Sequence, residues 1–395
     1  MDQITAVNQN NNKLGKSLVL LMAVAAGTAV ANLYYIQPLL GEIARALNVS
    51  QVNVGFTTML TQVGYAIGML VLLPLADIKE KRKLILIMLF CSTCSLLLMF
   101  FSPNITVLSV AAFAVGFTSV VPQLIVPLAA QLAEPGERGK VIGTVMSGLL
   151  IGILLSRTLS GIIGENFGWR VVYLIAAGLM ILLAGLLGKF LPVSPAVSTL
   201  KYKDLFKSMF GLVKTYPVLV EASINGAMMF AAFSAFWTSL TFLLEGPQYN
   251  MGADIAGLFG LIGVVGAAAA PIAGRLADKK SPKFTVGIGI VIVIAAYVCM
   301  LLFGFKLWGL IIGVILLDLG VQSCQISNQA RVHALSNEYR NRINTVFMVS
   351  YFIGGSLGSF LSSYNYARLG WIGVCLLGLA TQIIAIIAHK SFKKT

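Results

Sequence analysis

Two charged residues stand in segments where this chain otherwise avoids charge. Asp318 lies in GVILLDLGVQSCQISNQ, 12 residues after Lys306 and 13 before Arg331. On a helix rising 1.5 Å per residue, that is about 18–20 Å from either charged end. A carboxyl at that depth is costly against lipid, so it should face a cavity or a partner. Two readings follow: a site that couples to a proton or to substrate, or a structural acid held by hydrogen bonds. Gln322 and Gln325 fall on the same helix face at i+4 and i+7, with Gln329 one turn further on. The second charge is Arg157, in GILLSRTLSGIIG, eight residues before Glu165 and so about 12 Å from that end of its helix. An arginine does not give up its proton, so Arg157 is no proton carrier. It can bind an anionic group, or hold a carboxylate such as Asp318 or Glu245. Alternatively, it snorkels to the headgroups.

The elements that would position these groups are set by composition. Of 395 residues, 58% are hydrophobic and 11% charged, with a mean hydropathy of +0.89. A soluble domain carries about 25% charged residues, so this chain requires lipid as a solvent. Apolar runs of about 20 residues recur, long enough to span a bilayer. They do not alternate in polarity as barrel strands would, and backbone groups in lipid must be bonded internally, so the runs are helices. Twelve spans are expected, near 17–40, 51–74, 83–101, 105–132, 140–164, 169–191, 217–244, 253–275, 284–304, 307–330, 342–365 and 370–389. The 39 glycines suit close helix approach.

The net charge of +14 is explained by its distribution. With both termini in the cytoplasm, 23 Lys and Arg fall on the inner side and four on the outer, Arg157 being the last of 28. That is the positive-inside pattern, and it removes the case for nucleic-acid binding. Residues 1–16 are polar and the first apolar run is too long for a signal peptide, so no cleaved signal is expected. Cys91 and Cys94 form a CxxC inside an apolar run without His or charge beside them, and read as packing residues. His333 and His389 are isolated in sequence. No metal site, cofactor or catalytic motif is expected, and an enzyme is not.

The sequence repeats. PLADIKEKRK at 74–83 parallels GRLADKKSPK at 274–283, with Asp77 and Asp278 offset by 201. At an offset of 202, Gln123 meets Gln325, Arg138 meets Arg340, Gly152 meets Gly354, and the GW at 168–169 meets the GW at 370–371. The expected organisation is a six-helix bundle over 1–191, a cytoplasmic linker over 192–216 with an amphipathic segment, and a second bundle over 217–395.

Two six-helix halves, a basic central loop and the repeated LAD motif resemble the major facilitator superfamily along essentially the whole chain. ERGKVIGTVMSGLLIG…GIIGENFGWR is similar to the drug/proton antiporter branch, in particular its arabinose-efflux-type permeases. The resemblance implies that Asp77 latches the cytoplasmic side against Arg138 or a neighbouring helix, with Asp278 and Arg340 as the second copy. The other reading of that basic loop is a solvated topology signal. The sequence departs from the branch at two points. Aligned on Gly161, Ser156 and Arg157 replace a Gly-Pro pair, and Ala112 stands where an arginine linked to proton handling precedes Gly116.

The resemblance also places spans 1 and 7 around a central cavity. Span 1 offers Asn32, Tyr34, Tyr35 and Gln37, with Pro38 as a possible break. Span 7 offers Asn225, Phe233, Phe236 and Trp237, and Gln123, Gln322 and Gln325 complete the expected lining. Aromatics and few amides suit a weakly polar, uncharged or cationic compound better than a sugar. The expected function is secondary active transport by alternating access: proton-coupled efflux of small hydrophobic or cationic compounds through Asp318 and Arg157. The alternatives are an importer or exchanger of a small organic anion on Arg157, and a receptor-like scaffold without flux. A monomer in the bacterial inner membrane is implied.

Overall fold

The structure, a computed structural model, describes residues 15–134, 136–194, 202–278, 281–336 and 338–391. Side chains at 77, 203–205 and 266–278 fall outside that description. Helices are the only regular structure among the described residues.

Proline sets the first irregularities. The first span is two helices, α1 (Lys16–Ala31) and α2 (Ile36–Leu47), joined by a turn through Asn32–Tyr35. Pro38 lacks an N–H and its ring crowds the carbonyl four residues back, that of Tyr34, so the break sits where the ring requires it. Pro122 does the same in the fourth span, which divides into α5 (Ile105–Thr118) and α6 (Val121–Leu132). Between them lie α3 (Gln51–Ile78), capped by the Ser50 side chain, and α4 (Lys81–Phe100). α7 (Arg138–Phe167) and α8 (Trp169–Phe190) follow, separated by Gly168 at φ +88°.

A 14-residue amphipathic helix, α9 (Tyr202–Thr215), occupies the polar interval. Beyond it run α10 (Pro217–Leu244), α11 (Ala253–Asp278), α12 (Pro282–Phe303), α13 (Leu307–His333) and α14 (Arg340–Ser391). As one straight helix, the 52 residues of α14 would reach about 78 Å, over twice a hydrocarbon core. Gly370, at φ 59° and ψ −150°, breaks it into two arms. That backbone is open to glycine and hostile to other residues. Among the described residues ten helical stretches are long and apolar enough to cross a membrane. Two arms in α14 and the apolar start of α11, Ala253–Val265, account for twelve.

The apolar residues face outward as well as inward. Phe90, Phe101, Ile181, Val291, Leu302 and Ile383 are more than half exposed, which fits lipid-facing helices and not a soluble surface. α10 is the exception. Every residue from Met229 to Leu244 is buried, as expected of a helix that is hydrophobic all round. It packs along α14. Early and late helices meet along two seams, α3 against α14 and α7 against α11. In the second, Gly161 and Gly257 face each other, and a Cβ on Gly161 would meet the Ala253 carbonyl and stand 3.0 Å from Gly257 Cα.

Candidate functional site

One end of the bundle gathers basic residues: Lys81 opens α4, Arg340 opens α14 and His333 closes α13. A cavity of about 350 Å³ runs from this basic end into the bundle, past Gln329, to a layer that includes Tyr34 and Phe233. Gln123, Gln322 and Gln325 line it with Tyr65, Phe230 and Tyr351. Gln123 donates to the Tyr65 hydroxyl (3.2 Å), and the Tyr65 and Phe352 ring centroids are 4.4 Å apart across the α3–α14 seam.

Arg157 lies at the floor of this layer. It is 1% exposed, so it does not snorkel. Its Nε donates to Gln37 Oε1 (2.7 Å). Its guanidinium carbon is 4.2 Å from the Trp237 ring centre, 4.8 Å from that of Tyr34 and 5.4 Å from that of Phe233. Three aromatic faces are thereby given to one cation, an arrangement that stabilises a desolvated guanidinium. Both Nη atoms are buried without a hydrogen-bond partner in the protein. Asp318 is 2% exposed, and its Oδ2 and Trp237 Nε1 likewise have no protein partner. Among the described residues Arg157 and Asp318 form no ion pair within 4 Å. A Cβ added at Gly263 of α11 would stand 3.2 Å from Asp318 Oδ2 and 3.3 Å from Trp237. So the turn between α1 and α2 joins α2, α7, α10, α11 and α13 at one small polar locus.

The remaining expected residues are placed differently. Asn32 turns away from the cavity, toward Ser92 Oγ (3.4 Å) and Met180 Sδ (3.5 Å), because the turn after α1 directs it into α4 and α8. Asn225 and Tyr35 are buried off the lining. Phe236 packs edge-on to Trp237 and Trp371. Gln37 and Trp237 hold Arg157 instead of lining the cavity. Glu245 is not a partner of Arg157, because Arg45 takes it in an ion pair. Arg340 lines the cavity mouth, and Arg138, the first residue of α7, is exposed. The side chains of Asp77 and Asp278, at the ends of α3 and α11, lie outside the described residues.

Two groupings escaped the sequence. At the end opposite the basic one, bonds join early helices to late ones, α2 to α10 and α7 to α11. Arg45 pairs with Glu245, Glu165 accepts the Ala253 N–H (3.0 Å), Thr158 donates to the Gly257 carbonyl (3.0 Å) and Thr241 to the Gln37 carbonyl (2.9 Å). This end is shut. Nearer the basic end, the fully buried Glu221 carboxylate lies 2.6 Å from Arg331, 3.5 Å from Lys283 and 3.2 Å from His389. Glu221 is the fifth residue of α10, a position where an acid reads as an interface residue and its partners on three other helices cannot be foreseen.

A family model described as Major Facilitator Superfamily matches residues 20–359. The chain belongs to the major facilitator superfamily. It is a multi-pass membrane transporter and not an enzyme. It is 40% identical to the "uncharacterized transporter YgaY" of Escherichia coli O157:H7, over 95% of this chain and 96% of that one. Identity to the "probable transporter SCO4007" of Streptomyces coelicolor is 32%, over 92% and 85%. A "probable sugar efflux transporter" of Helicobacter pylori G27 is 25% identical over 90% and 91%. Among solved structures, a bacterial homolog of the human lysosomal transporter Spinster, in an inward-facing conformation, matches with a TM-score of 0.76 at 15% identity, over 95% of each chain.

Proposed function

We propose that this transporter couples proton movement to efflux of a small, mostly hydrophobic compound, in the manner of the drug/proton antiporter branch, with Asp318 as the coupling acid. One observation carries the reading. Asp318 is the buried acid of the Arg157 locus, has an oxygen without a partner among the described residues, and lies one helical turn beyond Gln322, which lines a cavity bordered at the basic end by His333 and Arg340. Such an acid can be reached from one side at a time, which alternating access requires. The efflux named for the Helicobacter relative supports the direction. By the positive-inside rule the basic end is cytoplasmic, so this is an inward-open state in the inner membrane, with 1–191 and 217–395 as the two moving bodies of a monomer. Closure of the basic end would bring in Asp77 with Arg138, and Asp278 with Arg340.

The cationic class loses support, because Arg157 already occupies the aromatic faces that would receive a cation and repels a second one. The second reading, a small organic anion on Arg157, would move the proton together with the substrate. A scaffold without flux would show no counterflow. The test is proton movement in reconstituted vesicles carrying a pH gradient, with a panel of lipophilic compounds. Dissipation by some compounds in wild type, lost in Asp318→Asn, is the expected result. Dissipation that survives the substitution would place the coupling acid elsewhere.

A further inference from the structure

The Arg157 locus selects substrates by charge and by hydrogen-bonding type. Its inventory is one permanent cation, one acid, and an indole N–H. Arg157 presents two Nη donors and Trp237 one Nε1 donor, all buried and without protein partners. Asp318 Oδ2 is the facing acceptor. Trp237 stands between the two: the guanidinium lies over its ring at 4.2 Å, and its six-membered edge and Asp318 Oδ2 both border the open side of Gly263. With Asp318 ionised, the locus is neutral as a whole.

The consequence depends on how a ligand shifts the proton on Asp318, and this argument rests on the antiport reading above. Antiport needs a substrate whose binding expels the proton. An anion on Arg157 does the reverse: Asp318 then keeps its proton, since otherwise two negative charges would face one positive. A cation would expel the proton, but the buried guanidinium repels it at short range in a low-dielectric site. The class that remains is uncharged. It must donate a hydrogen bond to the Asp318 carboxylate, which stabilises the ionised form. It must also accept from Arg157 or Trp237, since leaving buried donors unpaired is costly. A hydroxyl does both, and two adjacent hydroxyls do so without strain.

We infer that the transported compound is uncharged and bears a hydroxyl or vicinal diol, which enters the closed locus when Tyr34 and Phe233, the cavity residues that cover Arg157, move aside, and there bridges Asp318 to Arg157 and Trp237 while its apolar part lies among the cavity aromatics. The groups facing Asp318 are few. Arg157 from α7 and Tyr351 from α14 interact with it electrostatically. Trp237 of α10 and Gly263 of α11 flank it, and α12 meets this stretch of α13 through Val293 and Ile292 at Gly320.

The test uses four probes with one tail: 3-phenylpropane-1,2-diol, 3-phenylpropylamine, 3-phenylpropanoate and propylbenzene. Binding to the purified full chain is followed by calorimetry, and proton exchange by an indicator in weak buffer. The diol should bind best, about tenfold or more above the others. It should release protons from wild type and none from Asp318→Asn. Arg157→Gln should weaken it about tenfold or more, and Trp237→Phe, which removes the N–H with the five-membered half of the indole and keeps one aromatic face, several-fold. The conservative Trp237→Phe covers the case in which Arg157→Gln fails to fold. Absence of saturable diol binding, proton uptake on diol binding, or tighter binding of amine or carboxylate would overturn the inference. If the amine dissipates a pH gradient through wild type but not through Asp318→Asn, the antiport reading stands and the uncharged class falls. If none of the four dissipates it, antiport itself falls, and the binding order alone judges the site.

Discussion

A single buried charge is informative because its environment must account for it. Arg157 and Asp318 were legible in the sequence for that reason: each interrupts an apolar run. The Gln37 bond to Arg157 was not, since the two residues are 120 apart in sequence and no local spacing encodes the meeting. Glu221 shows the same limit more sharply. Its partners come from α12, α13 and α14. Removing one side of a buried ion pair costs about 3–5 kcal/mol, whereas replacing the whole pair with apolar residues is far milder. Glu221→Leu is therefore expected to lower the detergent-solubilised unfolding midpoint strongly. Glu221→Leu with Arg331→Leu should recover a good part of that loss. A double variant no more stable than the single would show that Glu221 does not depend on Arg331, contrary to the 2.6 Å contact.

Elements were easier to read than faces. The spans follow from apolar length alone and the break in the first span from Pro38, whereas the fourth span, expected whole over 105–132, is divided near Pro122. The face that α10 turns to the cavity did not follow, because a helix apolar on every side has no polar stripe to orient it. Hence Phe233 borders the cavity, while Asn225 and Phe236, equally plausible on an apolar helix, do not. The loop latch could be read only as a motif, and its acidic side chains lie outside the described residues. Small residues, by contrast, state their purpose once two helices are in place. At the α7–α11 seam, Gly161 and Gly257 allow backbones to touch. Gly161→Val would force α7 and α11 apart at the shut end. The variant should insert and fold, expose cysteines placed beside Thr158 to an impermeant thiol reagent, and transport poorly. Labelling equal to that of wild type would mean that the seam tolerates the added bulk.

For the whole molecule, the described state is shut at one end and open at the other, and the shut end is held by bonds between early and late helices. A membrane transporter of this kind must break those bonds in every cycle. Arg45→Cys with Glu245→Cys, in a chain whose own five cysteines are serine, can be joined by a short bifunctional thiol reagent. Joining them should stop counterflow and leave a cysteine at Gln329 reactive from the basic end. Counterflow that persists after cross-linking would mean that this end need not open. The Glu221 cluster has one more consequence, in the order of synthesis. Chains are made from the N-terminus, so Glu221 enters the membrane 110 residues before Arg331 exists, and His389 comes later still. Lys283 comes earlier, with α12, and until it does α10 has an acid in its second turn and no cation to meet it. The nascent helix should ride high, with Glu221 among the headgroups, and sink to its final depth as α12 and then α13 arrive. The last helices to be translated would thus seat the first helix of the second half.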